Sequence, residues 1–249
     1  MAPGPYHLLT YILLASGARS RTFVPLGKRW QENNTFDYII VGGGTAGLVL
    51  ANRLSETEGI KVVVVEAGGD YEGDPLKKAI VDIPGLDAEG AGADITAPAN
   101  MLSIDWGFST VPQKAFANRS IHYERGKVVG GSSTRNFQIY QRGTASSYDS
   151  WAALGNEGWD WKSLKPYFEK SVKYQPPDNS LRRLARPTPP DEALAESQTR
   201  GPLSLSVAPF PQAFGPFMIG ALKELGIPEV TTFNNGTLRG GTSSLRLLC

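Results

Sequence analysis

The segment from Phe36 to Glu66 constrains the fold of this chain more than any other. It reads FDYIIVGGGTAGLVLANRLSETEGIKVVVVE, an apolar strand, a glycine-rich turn, a helix and a second strand that ends in an acid. A strand, a GxGxxG turn and a helix in this order are typical of proteins that hold a dinucleotide pyrophosphate at the helix N-terminus. The sequence therefore predicts an α/β fold that opens with a Rossmann-like βαβ unit.

Each glycine of the turn has its own expected role. Gly42 permits a tight turn out of the first strand, and Gly44 has no Cβ, so a pyrophosphate can approach the backbone closely. Gly47 lets the following helix pack against the sheet. The helix is predicted to begin near Thr45, with Ala46 in its first turn, so that its unpaired amides and positive dipole end face the phosphates.

Glu66 ends the second strand, 19 residues after Gly47. A carboxylate at this position accepts hydrogen bonds from a ribose 2′-hydroxyl and disfavours the 2′-phosphate of NADP. The alternative is an ordinary strand, turn and helix in which Glu66 is a surface residue. The dinucleotide interpretation is favoured because strand, glycine spacing, helix and acid all agree.

Composition excludes several classes of function. Of the 249 residues, 41% are hydrophobic, which suffices for one substantial core and part of a second domain. The formal net charge is +1 without a sustained basic run, so nucleic-acid binding is rejected as a primary role. Cys249 is the single cysteine, and His7 and His122 are the two histidines. No disulfide within the chain and no metal site are therefore predicted.

The first residues resemble a secretory leader. An apolar run from Leu8 to Ala15 is followed by small residues, which predicts a signal peptide over residues 1–18 and secretion; the alternative is a plain N-terminal tail on a cytoplasmic protein. The run is too short to span a bilayer, so no membrane anchor is expected. Sequons at Asn33, Asn118 and Asn235 would make a secreted chain a glycoprotein.

A second segment, Tyr123 to Ser171, carries a family resemblance. It reads YERGKVVGGSSTRNFQIYQRGTASSYDSWAALGNEGWDWKSLKPYFEKS. The RGKxxGGSSxxN core, followed by RG, YDxW and GWxWxxLxPYF, resembles the first signature of the glucose-methanol-choline (GMC) oxidoreductases. With gaps, the resemblance runs from Phe36 to about Phe233 and indicates the N-terminal half of a protein similar to fungal aryl-alcohol and glucose oxidases.

The resemblance implies FAD as the cofactor, and the residues of the second segment suit it. Gly130 and Gly131 let the main chain pass close to a flat ring, while Ser132, Ser133 and Asn136 supply short polar groups for flavin heteroatoms or phosphate. The residues predicted to bind the cofactor are Gly42, Gly44, Thr45, Ala46, Gly47, Glu66, Ala67, Gly131, Ser132, Ser133, Asn136, Phe137, Gln138 and Ile139.

The chain departs from the family pattern after Asn136, where a glycine is usual and Phe137 stands instead. In the irregular stretch before the signature, Trp106 and Phe108 fit either core packing, which is favoured, or the cover of a ring system. The resemblance divides the chain into an FAD-binding domain over 36–168, a proline-punctuated linker or insertion over 175–200, and the incomplete start of an α+β substrate domain over 201–249.

The family's activity is the oxidation of a CH–OH group by hydride transfer to flavin, with dioxygen or another acceptor and a small alcohol as partners. Neither His7 nor His122 matches the family's catalytic histidine, so the catalytic residues stay unassigned, and His122 is expected at the surface. The chain is interpreted as truncated before that histidine. Two alternatives stay open: a flavin-binding remnant without turnover, and a non-redox enzyme of secondary metabolism on the same scaffold.

Overall fold

The computed structural model describes residues 11–16, 20–25, 35–83, 86, 103–182, 187–195, 201–208, 214–241 and 246–248. The chain divides into two compact units, Met1–Phe137 and Gln138–Cys249. This division rests on compactness alone, so the predicted ranges 36–168, 175–200 and 201–249 stay predictions.

The first unit contains a four-stranded sheet in the order β2-β1-β4-β3. Its strands are β1 (Tyr11–Ser16), β2 (Ser20–Pro25), β3 (Tyr38–Val41) and β4 (Val62–Glu66). β3 and β4 are parallel and are joined through helix α1 (Thr45–Leu54), which is the predicted βαβ unit. β1 lies antiparallel to β4, with Tyr11 opposite Glu66, so part of the predicted leader forms a strand here.

The βαβ unit forms because β4 is a run of β-branched valines that pack under α1. Val62 and Val64 are buried and contact Ala51 of the helix. Burying each valine side chain stabilises the unit by roughly 1.5–3 kcal/mol before the entropy of ordering is subtracted. This small core fixes the carboxyl ends of β3 and β4 beside the N-terminus of α1.

The irregular part of the first unit has its own core. Helix α2 (Pro75–Asp82) begins after Asp74, whose side chain accepts hydrogen bonds from two backbone amides, and these bonds lower the pKa of that carboxyl. The helix buries Ile80 and Val81 against Ile104 and Val128. Two short antiparallel strands follow, β5 (Phe108–Ser109) and β6 (His122–Tyr123).

The second unit packs helices beside a three-stranded sheet in the order β7-β8-β9. Its elements are α3 (Ala145–Ala153), α4 (Trp161–Ser171), β7 (Val172–Tyr174), α5 (Asn179–Arg182), α6 (Glu192–Ala195), β8 (Leu203–Val207), α7 (Gly215–Glu224) and β9 (Arg246–Leu248). The apolar alternation Leu203, Leu205, Val207 lies in β8, with the last two side chains buried.

A buried polar network ties distant parts of the second unit together. The backbone amide of Arg142 donates to Asn234 Oδ1 at 3.1 Å, and its guanidinium Nη1 donates to the Asn234 carbonyl at 3.2 Å. Asn234 Nδ2 in turn donates to Asp191 Oδ2 at 3.2 Å. Asp191 is 0% exposed and Asn234 2%, so residues predicted as a linker contribute to the interior.

No helix within the described residues is both long and apolar enough to cross a bilayer.

We predict that Asn234→Ala lowers the free energy of unfolding by about 2–4 kcal/mol, because it leaves buried partners of its side chain unsatisfied. The matched control is Asn235→Ala, one residue further at an exposed position, which should change stability by less than about 0.5 kcal/mol. Urea unfolding followed by tryptophan fluorescence measures both. Equal effects of the two substitutions would contradict a structural role for the network.

Candidate cofactor site

Three glycine-containing segments of the first unit meet backbone to backbone. The Gly130 amide donates to the Gly43 carbonyl at 2.8 Å, and the Val129 amide donates to the Gly69 carbonyl at 3.0 Å. Gly44 and Gly130 also pair as a β-bridge, although they are 86 positions apart in the sequence. The glycine turn and the GGSS segment, predicted separately, are therefore parts of one site.

The close approach explains why glycine is needed at two positions. A Cβ on Gly47 would lie 2.0 Å from the Gly42 carbonyl oxygen, so the helix can reach the turn only without a side chain there. A Cβ on Gly131 would lie 2.8 Å from Gly44 Cα, and its φ of 58° adds strain for any other residue. At Gly44 the nearest atom to a Cβ is 3.8 Å away, so the protein itself leaves this point of the turn open.

Glu66 fastens the turn to the end of β4. Its Oε2 accepts the Gly43 amide at 2.6 Å, and its Oε1 accepts the Gly68 amide at 2.7 Å. The residue is 8% exposed, so the interpretation of Glu66 as a surface residue is wrong. Each carboxylate oxygen has a second lone pair, which leaves acceptor capacity for ribose hydroxyls.

These groups surround a cavity of about 830 Å³ within the first unit. Its size lies within the range of small-molecule and cofactor sites. The predicted site residues that line the cavity are Gly42, Gly44, Thr45, Glu66, Ala67, Gly131 and Ser132. Ala46, Gly47, Ser133, Asn136 and Phe137 belong to the same unit but are not among its lining residues, and Gln138 and Ile139 belong to the second unit.

The GGSS segment forms a 3-10 turn, Gly131–Thr134, held by its own hydroxyls. Ser133 Oγ donates to the Gly130 carbonyl at 2.6 Å, and Thr134 Oγ1 donates to the Gly131 carbonyl at 2.7 Å. Ser132 Oγ instead accepts the Gly126 amide at 3.3 Å. Of the two serines, Ser132 is thus the one that faces the cavity and can donate its hydroxyl proton to a ligand.

Another part of the cavity lining is an aromatic wall formed by Trp106, Phe108 and Tyr123. The Trp106 and Phe108 rings stack with centroids 5.6 Å apart and planes 4° apart. Both rings are partly exposed, so the favoured interpretation of core packing is wrong. Gly107 stands between them with a φ of 67°, a left-handed conformation that glycine adopts without strain, so this turn and not strand alternation brings both rings to the cavity.

Phe137 occupies a backbone conformation that suits glycine. Its φ is 58°, and the next residue, Gln138, has a φ of 54°. An aromatic residue in the left-handed region is strained, and such strain clusters at functional sites. At the position where the family has glycine, the chain thus keeps the glycine conformation but carries an aromatic side chain.

The expectation that His122 lies at the surface is wrong. Its side chain is 3% exposed, and its Nε2 lies 3.0 Å from Oδ1 of Asp105. Strand alternation is the cause, since Tyr123 faces the cavity and its neighbour His122 therefore faces the interior. Within the described residues, His, Cys, Asp and Glu side chains form no group suited to a metal ion.

We predict that Gly131→Ala lowers the free energy of unfolding by about 1–3 kcal/mol more than Gly59→Ala. Both glycines have positive φ, so both substitutions add backbone strain, but a Cβ on Gly59 meets no atom within 4 Å. Urea unfolding followed by far-ultraviolet circular dichroism gives the difference. Equal losses would show that the contact between the two glycine segments carries no energetic weight.

Comparison with known proteins shows the family of the chain. A family model described as GMC oxidoreductase matches residues 36–245. The dehydrogenase pkfF of Emericella nidulans is 42% identical over 212 residues, which are 84% of this chain and 34% of that protein. The chain spans about a third of the length of the curated relatives it matches.

Solved structures agree with the fold. An FAD-dependent oxidoreductase from Chaetomium thermophilum is similar with a TM-score of 0.64 and 31% identity, over 83% of this chain and 32% of that one. A fungal aryl-alcohol oxidase is similar with a TM-score of 0.62 and 30% identity, over 82% of this chain and 32% of that one. The predicted Rossmann-like α/β fold is confirmed, and the chain belongs to the GMC oxidoreductase family.

Proposed function

We propose that this chain forms the FAD-binding part of an oxidoreductase that oxidises a CH–OH group by hydride transfer to the flavin. The observation that carries the proposal is the junction of the glycine turn, Glu66 and the GGSS segment around one cavity. Similarity to a dehydrogenase, an FAD-dependent oxidoreductase and an aryl-alcohol oxidase supports it.

The residues fit the polar half of FAD. The N-terminus of α1 supplies unpaired amides and a positive dipole end for the pyrophosphate, and Gly44 leaves its approach open. Arg125 lines the cavity and adds a positive charge. Glu66 has acceptor capacity for ribose hydroxyls, and Ser132 donates a hydroxyl proton into the cavity.

Bound FAD would supply the hydride acceptor that no side chain can replace. The chain's own residues bind and orient this cofactor, and dioxygen or another acceptor would reoxidise it. The substrate is a small alcohol. We propose that the predicted cofactor residues Ser133, Asn136, Phe137, Gln138 and Ile139 contact the cofactor from the segment that carries the family signature.

A second candidate is a flavin-binding protein without turnover. Its support is the position of His122, which is turned into the interior onto Asp105 and cannot accept a proton from an alcohol in the cavity. General acid–base assistance contributes roughly 100-fold to 10,000-fold, so the 249-residue chain would then bind flavin and oxidise alcohols very slowly.

We also propose that the chain enters the secretory route, with residues 1–18 as the leader. Removal of this leader would take away β1 and keep the pairing of β3 with β4. Asn118 and Asn235 are both exposed, as glycan acceptors must be, and Asn33 lies outside the described residues. Expression in a secreting eukaryotic host should give a chain whose mass falls on enzymatic removal of N-glycans. Asn118→Gln and Asn235→Gln should each remove one glycan, and a chain of unmodified mass in the medium would contradict glycosylation.

The proposed function is tested by FAD binding to the purified chain, measured by absorbance between roughly 300 and 550 nm and by titration of flavin fluorescence. Glu66→Arg should weaken FAD binding at least about tenfold, which is 1.4 kcal/mol, because it removes the ribose acceptor and the tie to Gly43 and Gly68. Gly44→Ala should also weaken binding, and since the fold leaves room for that Cβ, the loss reports on the ligand.

The matched control is Glu58→Arg, the same charge change at an exposed position of the same unit, which should leave FAD affinity unchanged. Unchanged affinity in both Glu66→Arg and Gly44→Ala would contradict the proposed site. Anaerobic addition of a panel of alcohols separates the two candidate functions. Flavin bands that bleach indicate an active half-reaction, and bands that persist indicate a binding protein.

A further inference from the structure

We infer that Asp105 and His122 are positioning residues, a buried carboxylate–imidazole pair that fixes the aromatic wall of the cavity. The wall then accepts the adenine ring of the dinucleotide. The identity of this ligand rests on the proposed function, because the ring is that of bound FAD. The position of the pair itself depends only on the first unit.

Asp105 connects three segments around Trp106. Its Oδ1 accepts the Gly107 amide at 2.6 Å and lies 3.0 Å from His122 Nε2, and its Oδ2 accepts the Arg125 amide at 3.1 Å. The side chain is 2% exposed. The carboxylate is hydrogen-bonded to Gly107, the residue after Trp106, and to Arg125 on the neighbouring segment. These bonds fix the backbone that carries the Trp106 indole.

The backbone completes this frame. The Trp106 amide donates to the Arg125 carbonyl at 2.9 Å, and the Lys127 amide donates to the Ile104 carbonyl at 2.7 Å. Further along, Phe108 pairs with Tyr123 between β5 and β6. The two segments therefore form a narrow antiparallel ribbon, with the aromatic wall on the cavity side and Asp105 and His122 buried.

Among the described residues, Asp105 is the one hydrogen-bond partner of the His122 ring. Because the carboxylate can only accept, Nε2 carries the proton of this hydrogen bond. The other ring nitrogen, Nδ1, is buried and has no hydrogen-bond partner among the described residues. An apolar side chain would fill the same space without a bare nitrogen, so the imidazole is explained by the orientation that it gives to Asp105.

The wall suits a ring that carries phosphates. Trp106, Phe108 and Tyr123 are 40%, 49% and 48% exposed, an unusual exposure for three adjacent aromatic side chains. Lys127 Nζ lies 4.8 Å from the Trp106 ring centroid, and the Arg125 guanidinium carbon lies 4.0 Å from that of Tyr123. Flat apolar faces beside the cavity-lining cation Arg125 match adenine and its diphosphate.

The adenine end of FAD is favoured over the flavin end because of what shares the cavity. Glu66 and Ala67 line it together with Trp106 and Phe108. Since a carboxylate at the end of the second strand binds the adenosine ribose in this fold, the ring bonded to that ribose lies within reach of the wall. ADP is therefore the smallest probe of the wall.

The test measures FAD and ADP binding to the full 249-residue chain. His122→Leu and Asp105→Asn should each weaken both ligands about tenfold. His122→Gln should stay within about threefold of the unsubstituted chain, because the glutamine Nε2 can donate to Asp105 as the imidazole does. The matched control is Asp37→Asn, whose carboxylate accepts the Lys61 amide in the same unit away from the cavity, and it should bind normally.

A second measurement is acrylamide quenching of tryptophan fluorescence in the ligand-free chain. It distinguishes an effect on the position of Trp106 from an effect on the stability of the chain. The contribution of Trp106 to emission is obtained by repeating each measurement with Trp106→Phe, since the chain has five tryptophans. Well below the unfolding temperature, His122→Leu should make Trp106 more accessible, and His122→Gln should restore the original accessibility.

The outcomes distinguish this inference from the proposed function. If the unsubstituted chain binds FAD and ADP while His122→Leu changes neither affinity nor acrylamide access, the positioning role is overturned and the proposed function stands. If FAD binds normally but ADP does not bind, the wall does not take adenine. If neither ligand binds the unsubstituted chain, the proposed function fails and the assignment of the wall fails with it.

Discussion

The site depends on the close contact of backbone segments that carry no side chains at the point of contact. Gly43 donates its amide to Glu66 and accepts the amide of Gly130 through its carbonyl. Buried backbone groups must be paired, so these bonds decide how the turn after β3, the end of β4 and the GGSS segment are arranged. The cavity is the space that this arrangement leaves open, and the buried carboxylate of Glu66 holds the turn to the end of β4.

The sequence predicted the βαβ unit and the family because their signals are local or ordered. An apolar strand, a glycine turn and a valine-rich strand each leave a pattern within a few residues, and the structure has them where the pattern indicated. The sequence favours core packing over a ring cover for Trp106 and Phe108 because they stand in an irregular stretch, where an exposed ring and a core ring give the same letters. His122 was misplaced because a two-residue strand is too short for its alternation to be recognised.

In the second unit, the buried polar residues could likewise not be predicted from the sequence. Proline and charge between residues 175 and 200 are typical of a solvated linker, yet Asp191 is 0% exposed and pairs with Asn234. A buried polar side chain is stable only with its partner, and Arg142, Asn234 and Asp191 are far apart in the sequence. Composition and periodicity describe a residue and its neighbours, so they cannot reveal a partner that only the fold brings near.

Around its cavity, the first unit contains exposed apolar rings and a buried nitrogen without a partner among the described residues, two features that folded proteins usually avoid. Three aromatic rings stay partly exposed, and His122 Nδ1 is buried without a partner among the described residues. The exposed rings add little stabilising burial to the ligand-free chain and the bare nitrogen destabilises it, and sequences tend to keep such features where a ligand offsets them. A ligand that binds only the folded chain stabilises it by an amount that grows with its concentration. A bound ring would therefore bury the exposed faces of the wall. The free energy of the same binding would offset the cost of burying the His122 imidazole that orients Asp105.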